Sequence, residues 1–73
     1  MKNCQLVHRL SRRIRVVAPS LIKEQERCYI LEILLRKHPA IKDVRIVADI
    51  GSLVINYDPA NLPEARLLAT LDA

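Results

Sequence analysis

Cys4 and His8 are spaced Cys-x-x-x-His, and a thiolate with an imidazole is a donor pair able to hold Cu(I) or Zn(II). Structural zinc takes four ligands, however. On a strand the i,i+4 spacing keeps both side chains on one face but roughly 13 Å apart, so a shared ion requires a bend or a helical turn. Cys28 is the other sulfur. It ends the stretch PSLIKEQERC (19–28) with no second thiol at metal-site spacing. Isolated thiols are among the most buried side chains, and Cys28 is read as core. His38, beside Pro39, suits a capping cation at a helix end better than a ligand. No cofactor is expected, apart from weak Cu or Zn binding at Cys4, His8 and Cys28.

Nothing in the chain points to catalysis. There is no nucleophile–base–orienter arrangement, no carboxylate pair and no glycine-rich phosphate loop. Asp43, Asp49 and Asp58 fall at strand ends or turns, where aspartate ordinarily sits.

The remaining chemistry is cationic. Lys2, Arg9, Arg12, Arg13 and Arg15 all precede the first acid, Glu24, so the N-terminal fifteen residues carry more positive charge than the whole chain's +4. With Arg45 these arginines form a candidate interaction patch (Arg9, Arg12, Arg13, Arg15, Arg45) for an anionic partner: lipid headgroups, nucleic acid or an acidic protein surface. Sequence-specific RNA recognition is not expected, because sheet-borne aromatics are the usual stacking platforms and the strands offer only Tyr57. Salt-sensitive, non-specific binding is the most such a strand supports.

The elements that position these groups follow from periodicity. RIRVVA (13–18) alternates, with Ile14, Val16 and Ala18 on one face and Arg13, Arg15 and Val17 on the other. The strand can begin earlier, near Leu6, but a continuous register would bury His8 and Arg12; a bulge or bend is expected near Ser11. Pro19 breaks the strand and Ser20 is placed to cap a helix over 21–37. Leu21, Cys28, Leu31 and Leu35 make its buried stripe, widened by Ile30 and Leu34. A second strand spans 41–49, with Val44, Ile46 and Ala48 on one face. A tight turn follows at 49–52, where Gly51, the only glycine, is expected at positive φ. The third strand, 52–58, directs Leu53, Ile55 and Tyr57 to one side. Asn61 then opens a short helix, with Glu64 in capping-box position and Leu68 and Leu71 buried. The core must be aliphatic, since the chain has no Phe and no Trp.

The order β-α-β-β-α lacks only a last strand to be the α+β, ferredoxin-like β-α-β-β-α-β sandwich: an antiparallel sheet with two helices on one face. The last strand is either missing or replaced by the N-terminal segment 4–10. An uncovered edge would invite an edge-paired or swapped homodimer. The organisation expected is a basic extension over 1–12 and one domain over 13–73. Two cysteines are too few for a disulfide scaffold, which points to a reducing compartment. No apolar run reaches membrane-spanning length.

From Arg13 to Pro59, about two thirds of the chain, the sequence resembles the heavy-metal-associated domain of P-type metal ATPases and small copper chaperones. The resemblance is carried by the helix ending in HPAI (38–41), the strand VRIVAD (44–49), the turn through Gly51 and LVINYDP (53–59), spaced without a gap. The opening HRLSRRIRV is similar to a divergent branch with a basic first strand. Metal-carrying relatives have Met-x-Cys-x-x-Cys at the start of the first helix. Counting back from Pro39 places those cysteines on Glu24 and Arg27, so no family ligand carries over to this chain. The resemblance implies a non-catalytic domain at the cytoplasmic face of the inner or plasma membrane, regulatory or docking in role. Its partner would be the remainder of a metal-transporting ATPase or an anionic membrane surface, with no specific nucleic acid. The alternatives are a Cu/Zn-binding domain or chaperone with Cys4 and His8 as rebuilt ligands, and a small basic interaction module.

Overall fold

The computed structural model describes residues 4–72, so Lys2 of the basic segment lies outside the described residues. The elements are β1 (Gln5–Leu10), β2 (Arg13–Val17), a 3-10 turn (Pro19–Leu21), α1 (Gln25–Arg36), β3 (Ile41–Val47), β4 (Ser52–Tyr57) and α2 (Glu64–Asp72). The four strands form one antiparallel sheet in the order β1-β2-β4-β3. This is the ferredoxin-like α+β arrangement, and β1 fills the edge beside β2 that a C-terminal strand would otherwise occupy.

Alternation sorts the sheet into two faces. Ile14 and Val16 of β2, Leu53, Ile55 and Tyr57 of β4, and Val44 of β3 are all buried. They pack with Leu35 of α1 and with Leu67 and Leu71 of α2, so both helices cover the same face. Ile14, Val16, Leu53, Ile55 and Leu67 are fully enclosed, and each such aliphatic stabilises the fold by about 1.5–3 kcal/mol relative to exposure. Tyr57 is the one aromatic in this core.

The bend expected near Ser11 is the hairpin turn between Leu10 and Arg13. The bulge lies farther back, where the β1–β2 register shifts between Leu6 and His8. It returns His8 to the open face opposite Arg15 and places Arg9 opposite Ile14, on the helix side. There Arg9 Nε lies 2.9 Å from Glu64 Oε1, an ion pair by distance whose angle leaves Oε1 without an aligned hydrogen bond.

The first helix starts later than its periodicity predicts. Leu21 is buried, but in the 3-10 turn, and Ser20 makes no capping bond. Lys23 then takes a positive φ of 58°. Its N–H donates to Ala48 O at 2.8 Å, and this contact with the β3–β4 hairpin overrides the helical preference of 21–24. Glu24 is the N-cap, also without a side-chain bond. Ile30 and Leu34 are exposed (49% and 57%) rather than widening the buried stripe.

The last helix also departs from the expected start. Asn61 donates its amide to Asp58 Oδ2 at 2.8 Å instead of capping. Helical bonding begins at Pro63, whose carbonyl accepts from Leu67 N–H at 3.0 Å. A proline disfavours helical backbone in the residue before it, so the helix starts after Leu62. Leu67 is fully buried and Leu68 only half-buried against the core, with Leu71 buried as expected.

Candidate functional site

The sheet face opposite the helices carries the arginines. Cross-strand pairing arranges it in rows: Leu10–Arg13–Asn56–Asp43, then His8–Arg15–Val54–Arg45, then Gln5–Val17–Ser52–Val47. Arg13, Arg15, Asp43, Arg45, Val54 and Asn56 line a shallow cleft of about 200 Å³. Arg13 Nε donates to Asn56 Oδ1 at 3.0 Å. Among the described residues, the guanidiniums of Arg15 and Arg45 have neither a hydrogen-bond nor an ion-pair partner. Asp43, the one acid in the three rows, is approached by Arg36 Nη2 at 3.3 Å. Arg36 also donates to Val44 O at 2.8 Å, fastening the C-terminus of α1 to β3. The face therefore presents two unneutralised guanidiniums and a third held by an amide.

The arginine patch inferred from sequence is thus divided. Arg13, Arg15 and Arg45 share the open face; Arg9 is drawn to Glu64 on the helix side. Arg12, in the hairpin turn, lines a separate cleft with Lys42, Asn56, Tyr57 and Asp58. Asn56 and Val54 had no assigned role, although the β4 alternation that buries Leu53, Ile55 and Tyr57 places them on the arginine face. Both tyrosines lie elsewhere: Tyr57 is in the core and Tyr29 is on α1.

The sulfur and imidazole groups do not converge. Cys4 packs against the core and lines a groove with Leu6, Ala65, Leu68 and Ala69, which is the helix side of β1. His8 is on the opposite face, because the bulge separates them. Cys28 is 7% exposed, in a small cluster with Ala18, Leu21 and Ala48 that Cys4 also touches. Its thiol donates to Leu21 O at 3.6 Å, and neither cysteine is in a disulfide. Burial first, and then the Glu24 carboxylate, push the Cys28 thiol above its ordinary range, which disfavours the thiolate that a soft metal needs. His38 is a hydrogen-bond acceptor, not the capping cation expected: its Nδ1 receives the Ala40 N–H at 3.1 Å.

The sheet order, the two helices on one face and the Gly51 hairpin agree with the resemblance noted from the sequence. The heavy metal associated domain 2 family matches residues 2–71. The chain belongs to that family. No curated protein and no solved structure matches it. Heavy metal associated domains are small and non-catalytic, and this one folds as a four-stranded antiparallel sheet with two helices on one face. Glu24 and Arg27, which the count from Pro39 places at the thiolate positions, are both exposed. Among the described residues no three of His, Cys, Asp and Glu gather where they could hold an ion. The side chains at the start of α1, the Glu24 carboxylate, the Arg27 guanidinium (no donor to a metal) and the buried Cys28 thiol, do not fit a thiolate heavy-metal site. Among the described residues no helix is long and apolar enough to cross a membrane.

Proposed function

We propose that this domain is a regulatory or docking module of a heavy-metal cation-transporting P-type ATPase, on the cytoplasmic side of the membrane, and that its working surface is the arginine face rather than a thiolate loop. The observation that carries this reading is the pair of partnerless guanidiniums, Arg15 and Arg45, on a sheet face the helices leave open. Exposed cations are retained at little structural cost, but three on adjacent positions of one sheet face repel each other unless an anionic surface meets them. Transport and ATP hydrolysis would belong to the partner. A nucleic-acid role is disfavoured because the open face offers the His8 imidazole but no Phe, Tyr or Trp as a stacking platform.

A second reading, a Cu or Zn carrier with rebuilt ligands, draws on Cys4 and Cys28 packing against one cluster. An amide-resolved NMR titration of the reduced protein with Cu(I), then Zn(II), separates the two. The docking reading expects weak, scattered shifts near His8 and His38 only. Saturable one-to-one shifts confined to Cys4, His8 and Cys28, lost in Cys4→Ser, would establish the carrier instead.

A further inference from the structure

We infer that the open sheet face is a docking surface for an anionic phospholipid bilayer, with Arg13, Arg15 and Arg45 meeting headgroup phosphates and Leu10 and Val47 entering the interface beside them. This rests on the docking reading above and names its partner.

Charge complementarity is the first ground. Arg15 and Arg45 stand in one cross-strand row with Val54 between them, so their Cα atoms are about 10 Å apart and their guanidiniums can take separate phosphates or converge over Val54. A guanidinium matches the phosphate fork and is weakly hydrated, which suits it to a headgroup layer. Asp43, the acid that would oppose an anionic partner, is already held by Arg36.

The second ground is where the apolar groups lie. Leu10, on β1 in the row of Arg13, is 51% exposed, and Val47, on β3 two residues along from Arg45, is 44% exposed, both on the arginine face. Cations with flanking aliphatics on one surface match the boundary between headgroups and acyl chains. An acidic polypeptide would satisfy the guanidiniums but leave those aliphatics in water.

This docking fixes an orientation: sheet towards the bilayer, helices away. It competes with the reverse one, because α1 exposes Tyr29, Ile30, Ile33 and Leu34 on the other side of the molecule.

Co-sedimentation of the whole chain with phosphatidylglycerol-containing vesicles, against pure phosphatidylcholine vesicles, tests both points. Binding is expected to the anionic vesicles alone and to fall as salt rises to about 0.15 M. Arg15→Gln and Arg45→Gln should each weaken it about fivefold and the double variant about 25-fold. Arg27→Gln and Ile30→Gln should bind like the unchanged chain. The substituted arginines are exposed and partnerless, so amide spectra of those variants should retain native dispersion. Unchanged affinity in the double variant, loss on Ile30→Gln, or equal binding to neutral vesicles would overturn the proposal. Binding to polyglutamate that requires Arg15 and Arg45, with none to vesicles, would overturn the bilayer and leave the docking reading standing; binding to neither would overturn both.

Discussion

Cys28 and Tyr57 hold their protons more tightly than ordinary thiols and phenols, and burial is the leading cause for both. For Tyr57 the Glu64 carboxylate adds to the effect and Arg9 offsets part of it. A folded-state value above the unfolded one means that the native state binds more protons at alkaline pH. The associated stability is complete below the unfolded value and is lost as pH rises through the folded one. The melting temperature should therefore fall once the pH passes roughly 9, and fall less steeply in Cys28→Ala; equal slopes in scanning calorimetry would mean the thiol is not the titrating group. Asp58 works in the opposite sense. The Ala60 N–H, then the Asn61 amide, stabilise its carboxylate, so its contribution is present at neutral pH and disappears only as pH drops below the ordinary carboxylate range. Gly51 is tightly constrained. Its φ is +64°, and an added Cβ would lie 2.5 Å from Ala18 O and 2.9 Å from Ile22 Cγ1. Gly51→Ala should cost about 2–4 kcal/mol in denaturant unfolding. The positive φ was legible from a lone glycine in a turn, whereas the collision was not, since Ala18 is 33 positions away in sequence.

At the scale of elements, strands were read more accurately than helix starts. The three strands and their inward residues follow from alternation, which a half-buried sheet enforces at every second position. Helix starts depend on single residues that compete. In α1 the tertiary bond from Lys23 N–H to Ala48 O outweighed the Ser20 cap. In α2 Pro63 disfavours a helical Leu62 and delays the start to Glu64, while packing on the sheet buries Leu67 more deeply than Leu68. The two leucines test this register directly. Leu67→Ala should destabilise by about 2–5 kcal/mol and Leu68→Ala by about 1 kcal/mol or less, compared by urea unfolding. A larger loss at Leu68 would place α2 in the other register.

For the whole molecule the decisive element is β1. It closes the β2 edge, brings Cys4 against both core clusters, and lends Arg9 to Glu64 on α2. Removing residues 1–10 would uncover the β2 backbone beside Ile14 and Val16. The shortened chain should self-associate, visible as a higher mass in light scattering after size exclusion, where the full chain does not. The expected edge-to-edge pairing in the intact chain meets two irregularities, the bulge between Leu6 and His8 on β1 and the register shift between Ile41 and Asp43 on β3. Bulges of this kind interrupt the ladder that a second copy would need.

Local and periodic features are written in the chain: the order of elements from 13 onward, the aliphatic core, the turn at Gly51, and an excess of arginine near the start. These are set by side-chain alternation and backbone preference, which act between near neighbours. The tertiary structure decided which of those arginines share a surface. A single bulge in β1 sends Arg9 to the helices, and strand pairing sets Arg45 in one row with Arg15 although thirty residues separate them. Register across a sheet is fixed by packing of its buried face, so the composition of the open face follows from contacts on the other side.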